Sequence, residues 1–159
     1  MYQDKFMKEA IKQAKKAAEH DETPIGAVIV YEGKIIARGR NKREEKKNSL
    51  CHAEIEAINK ACRKLGAWRL SGCDLYVTME PCPMCAGAII QSRIENVYFG
   101  AYDYKAGCAG TKTNLFVRGM FNHDVDVHGG HREEECVELL QSFFKSLRNR
   151  KKAEKNEKT

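Results

Sequence analysis

The chain has 159 residues, 42% of them hydrophobic, and a formal net charge of +6, which is the composition of a single globular domain. No apolar run approaches the ~20 residues needed to cross a bilayer, and the N-terminal segment lacks the continuous apolar stretch of a signal peptide. These features exclude an integral membrane protein, and we expect a soluble, cytoplasmic protein without membrane contacts.

Hydrophobic periodicity divides the chain into alternating helices and strands. The predicted order is a helix over 4–20, strands over 25–31 and 34–39, a polar loop over 41–49, a helix over 52–65, a strand over 74–79, a helix over 83–92, a strand over 95–100, an irregular stretch over 101–120, a strand over 124–127 and a helix over 132–150. Such alternation predicts an α/β domain, here over residues 1–152, with helices covering a central sheet.

The positive charge is concentrated at the end of the chain. Residues 145–159 contain seven Lys or Arg and two Glu, a net charge of +5. A basic segment of this kind suits a polyanion such as RNA, although a solvated helix end has the same composition. We expect residues 153–159 to form a basic, disordered tail.

Seven cysteines are many for this length, and their odd number in a chain without a predicted signal peptide argues against a disulfide framework. Only Cys82 and Cys85 form a C-x-x-C pair. The remaining cysteines lack ligand-like spacing and are interpreted as small buried apolar residues: Cys51, Cys62, Cys73, Cys108 and Cys136.

Two short motifs fall at predicted helix starts. His52 and Glu54 lie in the first turn of one helix, and Cys82 and Cys85 lie in the first turn of another. The two cysteines are i, i+3 neighbours, close enough to hold one ion. Free N–H groups and the positive end of the helix dipole favour thiolates at this position. Since zinc prefers thiolate and neutral imidazole, the two cysteines and the histidine are candidate zinc ligands.

The number of ligands indicates the type of metal site. Structural zinc sites usually have four protein ligands, whereas catalytic sites have three and keep one position for water. This sequence offers three, with no fourth His or Cys at suitable spacing. Zinc lowers the pKa of such a water toward about 7, and Glu54 is placed to transfer its proton. We therefore predict one Zn²⁺ per subunit and hydrolytic chemistry.

Each motif alone has simpler interpretations. The C-x-x-C pair could be a thioredoxin-like redox site, part of a closed structural zinc site, or two packed thiols. The H-x-E triplet could be a pair of surface groups. The conjunction of both motifs favours a catalytic site, because a redox pair gives His52 and Glu54 no role.

At these residues the sequence resembles the cytidine deaminase superfamily, whose signature is H-x-E followed by P-C-x-x-C. Within it, the sequence is most similar to the tRNA-specific adenosine deaminases, from the first helix to about residue 150. Further matching segments are 24–28, Asn41, 92–94, 99–101, Asp103, 105–107 and 122–123. Residues 48–51 and the tyrosines Tyr102 and Tyr104 depart from the pattern, outside the zinc signature.

The resemblance implies a three-layer α/β/α sandwich with a central five-stranded mixed sheet, usually as a homodimer. It implies zinc-dependent hydrolysis of the wobble adenosine of a tRNA anticodon to inosine, with release of ammonia. The implied roles are zinc ligation by His52, Cys82 and Cys85, proton transfer by Glu54, and hydrogen bonding of the base edge by the Asn41 amide and the Ala53 backbone N–H.

A tRNA partner requires groups that stack on bases and neutralise phosphates. We expect one of Phe143 and Phe144 to be buried and the other to lie near the RNA. The candidate RNA contacts are Asp103, Lys105, His123, Phe144, Arg148, Arg150, Lys151 and Lys152.

Two other functions compete with the tRNA deaminase. A deaminase of a free base or nucleoside, such as guanine, cytosine or adenosine, would share the zinc chemistry but would close its pocket with a lid and need no basic tail. A non-catalytic zinc protein that binds RNA would have no use for Glu54 as a proton carrier.

Overall fold

The computed structural model describes residues 1–158. Within that range, four helices and five strands follow in the predicted order. They are α1 (Asp4–Glu19), β1 (Gly26–Tyr31), β2 (Lys34–Arg40), α2 (Ala53–Leu65), β3 (Cys73–Met79), α3 (Pro83–Gln91), β4 (Asn96–Ala101), β5 (Asp126–His128) and α4 (Glu133–Glu157). No helix in residues 1–158 is both long and apolar enough to cross a membrane.

The strands form one mixed sheet in the order β2-β1-β3-β4-β5. β1 pairs antiparallel with β2 and with β3, whereas β3, β4 and β5 run parallel to one another. Parallel neighbours need a crossover connection, and α3 supplies it between β3 and β4. The predicted five-stranded mixed sheet is confirmed, and the crossover places the start of α3 at the end of β3.

Alternate strand residues enter two separate cores, one on each face of the sheet. Ala27 and Ile29 of β1 pack in a core with α2 and α3. Val28 and Val30 pack in a second core with α1 and α4. Burial on both faces explains why β1 is continuously apolar rather than alternating. The predicted three-layer sandwich is therefore confirmed.

A close approach of backbone to backbone sets the position of α2. A Cβ atom at Gly39 of β2 would collide with the Ala53 carbonyl oxygen and the Ala57 amide nitrogen. Only a residue without a side chain lets β2 pack so closely on the first turn of α2. This contact fixes the distance between β2 and the first turn of α2, which carries the H-x-E motif.

The last helix extends further than the sequence predicted. Residues 153–157, expected to be disordered, continue α4 as exposed helix. This stretch contains no Gly or Pro and is mostly Lys, Ala and Glu, which are strong helix formers. Helical propensity therefore carries α4 past the part that packs on the sheet. Thr159, also assigned to the disordered tail, lies outside the described residues.

Candidate metal centre and active site

The two helix starts that carry the motifs meet in space. His52 is the N-cap residue of α2 and Cys82 the N-cap residue of α3. Cys85 follows in the first turn of α3 and is fully buried. The Nδ1 atom of His52 lies 3.6 Å from Sγ of Cys82 and 3.5 Å from Sγ of Cys85. Within residues 1–158, these three side chains form the one group of His, Cys, Asp or Glu with spacing suited to a metal ion.

The spacing can be tested against zinc. Zn–S bonds of about 2.3 Å and a Zn–N bond of about 2.0–2.1 Å, meeting at a tetrahedral angle, separate sulfur from nitrogen by about 3.6 Å. The two observed N···S distances are 3.6 and 3.5 Å. Both the donor types and their separations therefore fit a tetrahedral zinc ion with three protein ligands.

The two thiols of the site differ in acidity. Hydrogen bonds from the Cys85 thiol and from His52 stabilise the Cys82 thiolate and lower the pKa of Cys82 to about 4. The contact with Cys82, together with burial, raises the pKa of Cys85. Cys82 is therefore the more readily ionised of the two cysteines. A metal ion would displace the proton of Cys85 as well, because thiolate is the form that ligates.

Glu54 lies beside this group and is almost completely buried, with 4% of its surface exposed. Its carboxyl group contacts the Cys85 thiol, and burial raises the pKa of Glu54 to about 7. A carboxyl group in this range both accepts and releases a proton near neutral pH, as a general acid–base catalyst must. The sequence placed Glu54 correctly at the helix start but did not indicate that its side chain is buried.

Of the two residues predicted to bind the base edge, Ala53 directly follows His52, and Asn41 begins a loop that is hydrogen-bonded to Cys51. Asn41 is buried, and its Oδ1 accepts the Arg43 N–H at 3.0 Å, a contact that does not involve the amide NH₂ group. The next residue, Lys42, donates its N–H to the Cys51 carbonyl at 2.9 Å, which ties this loop to the residue before His52. Ala53 is the first residue of α2, where a backbone N–H has no partner within the helix.

Two of the candidate RNA contacts have structural partners. The Asp103 carboxylate accepts the N–H groups of Lys105 and Ala106 at 2.9 and 3.1 Å. The His123 ring is hydrogen-bonded to the Ile94 carbonyl at 2.8 Å. The Lys105 side chain, by contrast, is exposed.

The remaining candidates lie on α4, which packs on the opposite face of the sheet from α2 and α3. Phe144 is 41% exposed and Phe143 is half-buried, so neither is the fully buried residue expected. Arg150 forms an ion pair with Asp21 at 3.0 Å. The other three side chains are exposed: Arg148, Lys151 and Lys152.

Sequence reasoning missed Glu80, whose side chain is 2% exposed and accepts hydrogen bonds from a loop at residues 103–111. The available signal was a charged residue between an apolar strand and the P-C-x-x-C motif. Sequence reasoning also left the role of Tyr104 undecided, and this residue is 75% exposed.

This sandwich, with a His-Cys-Cys group and a buried glutamate at two converging helix starts, defines a deaminase of the cytidine deaminase-like class. The sequence profile of the MafB19-like deaminases matches residues 1–148. The tRNA-specific adenosine deaminase of Bacillus subtilis is 56% identical over 96% of this chain and 96% of its own. That of Agrobacterium fabrum is 46% identical over 90% and 94%. The chain belongs to the tRNA-specific adenosine deaminase family.

Solved structures give a consistent result. A structure from studies of A-to-I editing by tRNA:A34 deaminases at the wobble position superposes with a TM-score of 0.84 at 45% identity, covering 87% of this chain and all of that one. A guanine deaminase from Bacillus subtilis superposes with a TM-score of 0.63 at 42% identity, covering 70% and 71%. The fold is thus shared by deaminases named for a tRNA and for a free base.

Proposed function

We propose that this protein is a zinc-dependent tRNA adenosine deaminase that converts the wobble adenosine of an anticodon to inosine and releases ammonia. The observation that carries the proposal is the contact of the His52, Cys82 and Cys85 group with the buried Glu54 carboxyl. The identity to tRNA-specific adenosine deaminases over nearly the whole chain supports the substrate.

His52, Cys82 and Cys85 would hold the zinc, which would supply a water whose pKa is lowered toward neutrality. Glu54 accepts the proton that the attacking water loses and delivers it to the adenine ring nitrogen. This transfer accompanies formation of the C–O bond at C6. Glu54 then takes the proton of the new hydroxyl group and passes it to the amino group, so that the C6–N bond breaks, ammonia leaves and the carbonyl of inosine forms. The Asn41 amide and the Ala53 N–H hold the base edge so that C6 faces this chemistry. The burial of Glu54 keeps bulk water from exchanging its proton during these steps.

Deamination of a free base is the second candidate, favoured by the similarity to a guanine deaminase structure. Two observations favour RNA instead. The net charge of +5 on residues 145–159 suits a polyanion. In addition, α4 packs on its own sheet, away from α2 and α3, rather than over the metal centre as a lid.

The proposal is tested by supplying both kinds of substrate. The zinc-loaded protein is incubated with an anticodon stem-loop carrying adenosine at position 34 and, in parallel, with adenine, adenosine, cytosine and guanine. A stem-loop with cytidine at position 34 is the matched control. We expect inosine and ammonia from the adenosine stem-loop alone. Turnover of a free base alone would replace the proposal with its competitor.

We also infer a homodimer and a cytoplasmic location. The outer surface of α3 borders an open groove lined by apolar and amide groups, a suitable contact for a second copy; its residues are Gly87, Ile90, Gln91, Leu115, Phe121 and Asn122. Sedimentation equilibrium measures the assembly directly. All seven cysteines are free thiols, as expected in a reducing compartment.

Removing residues 150–159 should weaken binding of the stem-loop and flatten its salt dependence. The deletion removes five Lys or Arg from an exposed helix end. The slope of log K against log salt is negative, and its magnitude falls by roughly 0.7–0.9 for every phosphate that the shortened protein no longer neutralises. The measurement is affinity by fluorescence anisotropy between 50 and 200 mM salt, the range over which such effects are resolved.

The control for this deletion is a full-length variant with Lys12→Gln and Lys16→Gln, two exposed lysines on α1. Its salt slope should match that of the wild type, and thermal melting should show that both variants remain folded. A deletion variant with an unchanged slope would show that the basic end of α4 is solvated surface.

A further inference from the structure

Glu80 is a buried carboxylate that accepts several hydrogen bonds from one loop. It directly follows β3 and precedes Cys82 by two residues. Its Oε1 atom accepts the Asp103 N–H at 3.1 Å and the Thr111 hydroxyl. Its Oε2 atom accepts the N–H groups of Ala109 at 2.9 Å and Thr111 at 3.2 Å. Four donors from residues 103–111 therefore converge on this one side chain.

The same loop is bonded to the metal-ligand turn through the backbone. Cys108 donates its N–H to the Pro81 carbonyl at 2.9 Å, and Glu80 donates its own to the Ala101 carbonyl at 2.8 Å. Gly107 allows the loop to close on the carboxylate. A Cβ atom there would lie 2.5 Å from the Asp103 carbonyl oxygen and 2.6 Å from Oε1 of Glu80. The segment from Glu80 to Cys82 and the 103–111 loop are thus one connected unit.

The loop projects two side chains toward solvent. Tyr104 is 75% exposed, and the neighbouring Lys105 is exposed as well. The Asp103 carboxylate caps the Lys105 N–H, which fixes the turn at this tip. An aromatic ring beside an ammonium group offers the two contacts that bind single-stranded RNA, namely base stacking and phosphate neutralisation.

Burying a carboxylate is unfavourable unless hydrogen bonds compensate, and here four do so. Because only 2% of Glu80 is exposed, the side chain is not reachable by a substrate. We propose that Glu80 is a positioning residue, which holds the 103–111 loop against the metal-ligand turn so that Tyr104 and Lys105 meet the RNA beside the target base. This inference rests on the proposed function. A loop already ordered in the free protein spares the RNA the cost of ordering it.

The test is Glu80→Gln, because a glutamine can present acceptor lone pairs to only one side of the loop. Its NH₂ group would face two loop donors that it cannot satisfy. We expect the Kd for the stem-loop to rise roughly tenfold, as for the loss of buried hydrogen bonds. Zinc should stay at one per chain, and the single-turnover rate at saturating RNA should change by less than about threefold.

A double-mutant cycle separates positioning from general destabilisation. If Glu80 acts through the loop tip, Lys105→Ala should weaken RNA binding in the wild type but add little in the Glu80→Gln background. Additive effects, or an unchanged Kd in Glu80→Gln, would overturn the inference.

If Glu80→Gln does not fold, Thr111→Val replaces it, since this change removes only the hydroxyl donor; a smaller rise in Kd with the same non-additivity is then expected. Full additivity in that variant would equally overturn the inference. A wild-type protein that does not deaminate the stem-loop would instead overturn the proposed function and, with it, this inference.

Discussion

Glu54→Gln should lower the single-turnover rate of adenosine deamination in the stem-loop by about 10²–10⁴-fold, the range for loss of a general acid–base group. Glutamine fills the same buried space but neither accepts nor releases a proton. The carboxyl group is not one of the three donor atoms of the metal group, so the variant should keep its zinc. Rapid quenching measures the rate, and atomic absorption measures zinc per chain.

Glu56→Gln is the matched control. Glu56 lies two residues further along α2, is also buried, and pairs with Lys46 Nζ at 3.0 and 3.1 Å. Breaking this ion pair should cost stability, while turnover of the stem-loop stays within a few-fold of the wild type. Loss of zinc from Glu54→Gln would contradict the division between ligands and proton carrier. Equal losses of turnover in both variants would point to a disturbed helix.

The candidate site was predictable because its chemistry is local to two helix starts. The H-x-E and P-C-x-x-C motifs each mark a helix N-cap, and both caps are found at those positions. His52 and Cys82 are 30 positions apart in the sequence, and this separation by itself carries no information on their distance in space. The predicted contact depended on zinc chemistry and on the resemblance, and the sheet realises it through the β3–α3 connection.

Buried carboxylates in loops were not predictable. Glu22 is 1% exposed and accepts the N–H groups of Glu44 and Glu45 at 3.0 and 2.8 Å, yet the sequence shows it only as part of a helix break. Glu80 binds donors more than twenty residues away in a loop without periodicity. Hydrophobic patterns report which face of an element is buried, but not which polar group satisfies a distant loop.

For the last helix, by contrast, the sequence predicted too little regular structure. Its sequence is charged to the end, and charge alone predicted disorder from residue 153. Local helix propensity outweighed that signal, and α4 continues to Glu157. The aromatic pair at its centre was also misjudged, because Phe143 and Phe144 pack against each other with ring centroids 5.4 Å apart instead of dividing between core and surface.

Cys82→Ser should abolish zinc binding, and turnover of the stem-loop with it. The hydroxyl group of serine is not ionised near neutral pH, so one of three ligands is removed and the remaining thiol and imidazole bind zinc weakly. The effect should also appear in stability. A ligand that binds only the folded state stabilises it by RT ln(1 + [L]/Kd), so added zinc should raise the melting temperature of the wild type but not that of Cys82→Ser. Calorimetry with and without a chelator makes the comparison.

Cys62→Ser controls for the removal of a thiol as such. Cys62 is half-buried on α2, where its Sγ lies 3.9 Å from the Trp68 carbonyl oxygen and takes no part in the metal group. This variant should bind one zinc per chain, respond to the chelator like the wild type and deaminate the stem-loop at nearly the wild-type rate. If Cys82→Ser kept both its zinc and its turnover, the metal would have to be held by other groups. The short N···S distances around His52 would then reflect ordinary hydrogen bonds between thiols and an imidazole.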